Sequence, residues 1–173
     1  MVVRNNYFWL DPQSGPGFIA NGDLIRLERI QNIEEMYGFR FADANIRMLD
    51  YPEEPAIEVK ILLDVLMSDS PALPLEEQKK LFSSVMEDFN DIPQRILRLE
   101  NVRTNPYFNA LQVKFGYALT CHKTQGGQWK NVFIDQGFVK DEKIDVEYMR
   151  WLYTALTRAR EKAYLIGFRD KFF

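Results

Sequence analysis

The stretch Tyr117-Ala118-Leu119-Thr120-Cys121-His122-Lys123-Thr124-Gln125-Gly126-Gly127-Gln128-Trp129 decides how this chain is read. Before it, Leu111-Gln112-Val113-Lys114-Phe115-Gly116 alternates apolar and polar residues. Leu111, Val113, Phe115, Tyr117 and Leu119 share one parity, so the pattern predicts a strand with one apolar face. At Thr120 the alternation stops and donors crowd in: two hydroxyls, an imidazole, an ammonium and an amide. Two glycines then allow a backbone or a ligand to come close. A strand that ends in clustered donors and glycine is how an open α/β sheet presents a binding edge. A strand, a polar turn and a helix start without any ligand has the same spacing, and spacing alone leaves the two readings level.

Downstream, Val132-Phe133-Ile134 reads as a short buried strand and Ala163-Tyr164-Leu165-Ile166 as a last apolar strand. Between them, Asp145 to Thr157 has helical spacing, with Val146, Met149, Leu152, Tyr153 and Leu156 expected to turn inward. Strand, short helix, strand, helix, strand is the pattern of a parallel sheet. Upstream, Leu24 to Ile30, Tyr37 to Phe41 and Asn45 to Leu49 are expected strands, after a tight turn at Asn21-Gly22-Asp23. Ile57, Val59, Ile61, Leu63, Val65 and Met67 alternate strictly, which predicts one long strand. Several short strands separated by turns suggest a small antiparallel barrel or sandwich. Residues 74–89 change period. Pro74 suits a first helical position, Glu76 and Glu77 suit the positive end of a helix, and Leu81, Phe82, Val85 and Phe89 share a face.

The central stretch resembles motif V of superfamily 1 DNA helicases, in the branch that holds RecD-type and UvrD-type enzymes. Tyr153-Thr154-Ala155-Leu156-Thr157-Arg158-Ala159-Arg160 resembles motif VI of the same enzymes. Asn21-Gly22-Asp23-Leu24-Ile25 is similar to a turn and strand upstream of motif V in the RecD-type group. The resemblance implies an α/β fold: a partial RecA-like parallel sheet with helices, plus a small inserted SH3-like antiparallel β-barrel. It implies three parts: a β-rich inserted subdomain over 1–67, a helical excursion and linker over 68–109, and the C-terminal part of the second motor domain over 110–173.

Such helicases close ATP between two motor domains and move along single-stranded DNA. By resemblance, Arg158 corresponds to the arginine finger of motif VI. A planar guanidinium can donate two bonds to the charge developing on the γ-phosphoryl oxygens. Thr120, His122 and Lys123 correspond to motif V residues near the DNA backbone, where such donors hold phosphate or sugar without reading bases. Gly126 and Gln128 fall on the nucleotide side of the same motif. Gln128 is a departure, since many relatives carry Glu there; an amide keeps an acceptor but loses the charge.

The chain contains no Gly-x-x-x-x-Gly-Lys-Ser/Thr phosphate loop and no Asp-Glu pair at the end of an apolar strand. The family places both on the first motor domain. The resemblance therefore implies a C-terminal piece holding half an ATP site. ATP with magnesium would be bound in the intact parent protein and by no means stably here. The implied partners are single-stranded DNA and the upstream first motor domain, with self-association of the piece through missing sheet neighbours. A helicase that serves as a helicase/exonuclease subunit in repair or recombination fits the same resemblance. A non-catalytic module binding single-stranded nucleic acid or protein is the alternative, although such a module has no need of Thr157-Arg158-Ala159.

Composition narrows the field. The chain has 173 residues, is 46% apolar and carries a net charge of −3. A nucleic-acid binder is more often basic, but here charge is uneven. Asp50, Glu53, Glu54 and Glu58 form one acidic group, and Asp141, Glu142, Asp145 and Glu147 another. Arg95, Arg98, Arg103, Lys114, His122, Lys123 and Lys130 lie between them. No apolar run reaches spanning length, and the N-terminus lacks the layout of a signal peptide. Cys121 is the one cysteine and His122 the one histidine, which disfavours a His/Cys metal site and suggests a reducing, cytoplasmic setting.

Overall fold

In the computed structural model the first long hairpin is set by two residues. Tyr37 and Gly38 both have positive φ, 57° and 74°, and join β1 (Ile25–Met36) to β2 (Phe39–Met48). That geometry belongs to a two-residue turn whose twist matches the flanking strands. The structure describes residues 1–13, 15–139 and 143–169; Asp141 and Glu142 of the second acidic group lie outside them. The fold is mixed α/β, with parallel strand pairing and helices, and divides into two compact units, Met1–Gly116 and Tyr117–Phe173.

In the first unit β2 is flanked on both sides. It pairs antiparallel with β1 and with β3 (Ile57–Leu62), and β3 pairs parallel with the short β4 (Leu111–Gln112), giving the order β1-β2-β3-β4. The N-terminus continues the sheet beyond β4. Val2 bridges Val113, the Val3 amide donates to the Gln112 carbonyl, and the Lys114 amide donates to the Met1 carbonyl. Because side chains alternate along a strand, Ala44, Ile46 and Met48 share a face with Val59 and Ile61. They close on Val2, Ile19, Leu111 and Val113 to make the core.

The opposite face holds a charged group. Lys60 stands across from Asp43, and its ammonium lies 2.6 Å from Asp43 Oδ1 and 2.6 Å from Glu34 Oε1. It also sits 4.4 Å from the centre of the Tyr107 ring, whose hydroxyl donates to Glu34 at 2.9 Å. The Lys60 side chain is 8% exposed. Burial pulls its pKa down, but its hydrogen bonds to the Asp43 and Glu34 carboxylates more than offset this, so the ammonium is held above its ordinary value. The Tyr107 ring meets Phe41 edge-on at 5.1 Å and Tyr37 at 5.5 Å, covering this end of the sheet.

Three expectations are corrected here. The strict alternation over 57–67 is not one strand: it ends at Leu62, and α1 (Leu63–Met67) follows. Asp64 in the first turn of α1 accepts the Arg40 amide at 2.6 Å, which anchors the helix to β2. The alternation from Leu111 likewise ends near Val113, and Phe115 and Tyr117 are exposed. With both runs cut short there is too little strand to close a barrel. The expected SH3-like barrel is not found among the described residues, and β1 remains an open edge. The turn at Asn21-Gly22-Asp23 is present, with φ of +108° at Gly22 and the Ala20 amide donating to Asp23 Oδ2 at 2.8 Å. The helix expected over 74–89 is α2 (Leu75–Glu87), with Leu81 and Val85 buried and Pro74 one position ahead, as its cap. Gln94 onward forms α3 (Arg95–Arg103).

In the second unit β5 (Trp129–Asp135) and β6 (Ala159–Ile166) pair parallel, with α4 (Val146–Leu156) as the crossover. Asp145 caps α4, its Oδ1 accepting the Tyr148 amide at 2.9 Å. The inward face of α4 differs from expectation. Tyr148 and Ala155 are buried, Trp151 and Leu152 half-buried, whereas Val146, Met149, Tyr153 and Leu156 are exposed. On the sheet, Phe133 and Tyr164 stack at 4.7 Å on an exposed face shared with Ile166. Among the described residues no helix is long and apolar enough to cross a membrane.

Lys60→Met should lower stability by about 2 kcal/mol in urea unfolding at neutral pH, because it leaves two carboxylates facing one another without a cation. A second expectation concerns alkali. Burial, reinforced by the Asp88 carboxylate, pushes the Tyr37 hydroxyl up to about 12 from 10.0. The folded state therefore holds this proton more tightly than the unfolded chain, and the stability it confers is complete below pH about 10 and lost as pH rises toward 12. The raised Lys60 ammonium acts in the same direction. Tyr37→Phe should flatten the fall of stability across that window in pH-dependent denaturation.

Candidate functional site

Thr120 has extended backbone (φ −68°, ψ 147°) and starts a single 3-10 turn, Cys121–Thr124. The Lys123 amide donates to the Thr120 carbonyl at 2.9 Å, and Thr124 Oγ1 donates to the Cys121 carbonyl at 2.6 Å. These local bonds tighten the donor-rich segment into one turn. Thr120, His122 and Lys123 are all exposed on it, so its hydroxyl, ring and ammonium groups are offered outward. Cys121 faces the other way, with Sγ 3.4 Å from the Trp151 carbonyl of α4. Burial pushes its thiol above the ordinary value, although the nearby Arg158 guanidinium pulls in the opposite direction. A thiol held protonated is a poor nucleophile, so Cys121 packs the turn rather than reacting.

The two glycines have different uses. Gly126 has φ of +88° and nothing around its Cα that a Cβ would meet, so its role is the backbone reversal. A Cβ on Gly127 would collide with Cη2 and Cζ2 of Trp129, whose ring folds back over it. The Gly127 amide donates to the Thr124 carbonyl at 3.1 Å, and its own carbonyl accepts from Arg158 Nη1 at 3.2 Å.

Arg158 follows directly on the C-terminus of α4. Nε donates to the Thr154 carbonyl at 3.0 Å, and Nη2 donates to Thr157 Oγ1 at 3.0 Å. Its backbone carbonyl accepts the Trp129 amide at 2.9 Å. The arginine thus joins the end of α4 to the glycine turn through both side chain and main chain. A guanidinium carries five N–H donors, and three are used in these bonds, leaving two for a further acceptor. Gln128 is exposed, and its Oε1 accepts from Arg160 Nε at 3.4 Å.

The structure therefore brings Gly126, Gly127, Gln128 and Arg158 into one constellation, with Thr120, His122 and Lys123 on the adjoining turn. Sequence reading missed the Gly127–Trp129 overlap and the Thr154 and Thr157 contacts that aim the guanidinium. A bulky aromatic two residues after paired glycines was the available signal. Among the described residues no group of three His, Cys, Asp or Glu could hold a metal ion.

Residues 115–166, which contain this whole constellation, match the family model of the UvrD-like helicase C-terminal domain. This match supports a superfamily 1, RecD/UvrD-like C-terminal region over this part of the chain. The chain is also similar to the ATP-dependent RecD2 DNA helicase of Deinococcus radiodurans, at 30% identity over 91 residues. That similarity covers 47% of this chain and 12% of the relative's length.

Gly127→Ala should displace the Trp129 ring and cost the second unit about 1–3 kcal/mol, the usual range for forcing atoms into a filled site. Hydrogen exchange at the β5 and β6 amides should accelerate, while exchange in β2 and β3 stays unchanged. Gly127→Ala combined with Trp129→Leu should recover part of the loss.

Proposed function

We propose that this chain is the C-terminal part of an ATP-dependent DNA helicase of the RecD/UvrD type. In this reading it supplies half of an ATP site and part of a track for single-stranded DNA. The observation that carries it is the Arg158 clasp. A guanidinium fixed by three internal bonds, with two donors left over, is pre-organised to meet charge that develops elsewhere. The other half of the site would come from the first motor domain of the same parent protein, which would hold the phosphates of ATP and its magnesium ion. Arg158 would reach the γ-phosphoryl group when the two domains close. Gly126 and Gln128 would lie on the nucleotide side, with the Gln128 amide in place of a charged ribose acceptor.

Thr120, His122 and Lys123 would hold DNA phosphates and sugars without base preference. Their exposure on a single turn supports that reading. The exposed Phe133, Tyr164 and Ile166 face would take the remaining sheet and helices of the second motor domain, and in isolation would favour self-association. The parent enzyme would act in the cytoplasm, and a place in a repair or recombination complex that includes an exonuclease accords with the same reading. Alone, this chain would not turn over ATP, because it has neither phosphate loop nor magnesium carboxylates.

The test separates the two motifs in the longer protein that this reading requires. Arg158→Ala should lower DNA-stimulated kcat about a thousandfold or more, with ATP affinity much less changed and DNA affinity retained. Lys123→Ala should weaken DNA binding and flatten its salt dependence, with near-normal kcat at saturating DNA. Near-normal kcat in the Arg158 variant, or ATP turnover by the 173-residue chain that Arg158→Ala abolishes, would overturn the assignment.

A further inference from the structure

The first unit contains an open cavity of about 770 Å³, bounded by the N-terminal segment, the Asn21 turn and the stretch from Arg103 to Gln112. Its volume lies within the range of small-molecule sites. The chain as a whole is acidic, yet the lining includes two arginines, Arg4 and Arg103, and no carboxylate. Neither arginine is in an ion pair among the described residues. Arg4 donates one Nη1 bond to Gln78 Oε1 at 3.0 Å. Arg103, the last residue of α3, makes no side-chain hydrogen bond among the described residues.

Gln112 supplies a third donor. It is 7% exposed, and its Oε1 accepts the Leu73 amide at 3.0 Å, which fixes the orientation of the carboxamide. Gln112 lines the cavity, and its Nε2 has no hydrogen-bond partner among the described residues. Tyr7 adds a flat surface. It is exposed at 67%, and its ring is backed by Phe18 at 4.9 Å and 23°, so one ring face is packed and the ring is held in place.

We infer that this cavity binds a nucleotide unit, with its phosphate on Arg4, Arg103 and the Gln112 amide and its base on Tyr7. Two guanidinium groups beside an amide donor suit a phosphate. An exposed, supported aromatic ring suits a base, because every base has a face to stack. A small dicarboxylate or an acidic peptide would use the arginines but not the ring. The same chemistry is presented by a free nucleotide and by one nucleotide of a single strand. This site stands independently of the proposed role of Thr120, His122 and Lys123, which belong to the second unit.

The 173-residue chain is titrated at low salt with thymidine 5′-monophosphate and, separately, with a thymidine tetranucleotide, following backbone and side-chain amide resonances. The expected result is a saturable shift of Asn5, Asn21, Thr104 and the Gln112 carboxamide. Arg103→Gln and Arg4→Gln should each weaken binding about tenfold, and each should reduce the salt slope of tetranucleotide binding by about 0.7. Both arginines are exposed, so unchanged amide spectra of the free variants verify that folding is intact. Tyr7→Ala should weaken both probes, and Tyr7→Phe should restore them. Shifts with the monophosphate assign a free-nucleotide site; shifts with the tetranucleotide alone assign a strand site. Lys123→Ala should leave these shifts unaltered, which keeps this outcome apart from any at the Thr120 turn. No shift at these residues with either probe, or unchanged affinity in Arg103→Gln, would overturn the inference.

Discussion

The double attachment of Arg158 to the segment after the glycine pair is what the second unit depends on. Its carbonyl accepts the Trp129 amide, and its guanidinium reaches back to the Gly127 carbonyl. The first bond sets the register in which β6 begins beside β5, since Trp129 pairs with Ala159. The second fixes the glycine turn against the end of α4. Removing the guanidinium would loosen the glycine turn, while the main-chain bond that sets the strand register survives a side-chain substitution. A residue read as reactive is in the same position that builds the frame, so its placement is not a matter of a free side chain finding a target. The Thr154 carbonyl and Thr157 hydroxyl complete the aim. They explain why threonines, poor helix formers, stand in the last turn of α4 and just past it.

In the first unit the comparable constraint is the row Asp43, Lys60 and Glu34 across three neighbouring strands. Such a row is weak evidence of net stability, since desolvation opposes attraction. It does specify register. Sliding β3 by one residue against β2 would turn Lys60 into the apolar face beside Ala44 and Ile46, where no carboxylate waits.

The parts of the fold that were legible in the sequence were those with local chemistry. Asn21-Gly22-Asp23 reads as a turn because positive φ is needed there, and Gly22 has it. α2 is legible because Pro74, Glu76 and Glu77 mark its start. The motif V and VI residues could be placed side by side only because their order resembles a known family. Long alternation misled. Ile57 to Met67 alternates throughout, but Leu62 is followed by a helix anchored through Asp64, a tertiary contact with no signature in the alternating residues. α4 misled for a different reason. Val146, Met149, Tyr153 and Leu156 have helical spacing, and so do Tyr148, Trp151, Leu152 and Ala155. Period alone cannot choose between two stripes that each fit it. The small Ala155 and the Trp151 carbonyl beside Cys121 decide the matter, and both are contacts visible only in three dimensions.

β1 carries two irregularities, one between Leu27 and Arg29 and one between Ile30 and Asn32. Each inserts an extra residue against β2, and together they return Leu27, Ile30 and Ile33 to one side of the sheet at a spacing of three, opposite Ile46, Ala44 and Ala42. A regular strand would have sent Ile30 to the other side. The same insertions interrupt the row of amides and carbonyls along the outer border of β1. A second extended chain laid against that border would meet the ladder out of step every few residues. A twelve-residue strand with half-exposed isoleucines can therefore remain at the margin of its sheet without becoming a template for fibrous assembly.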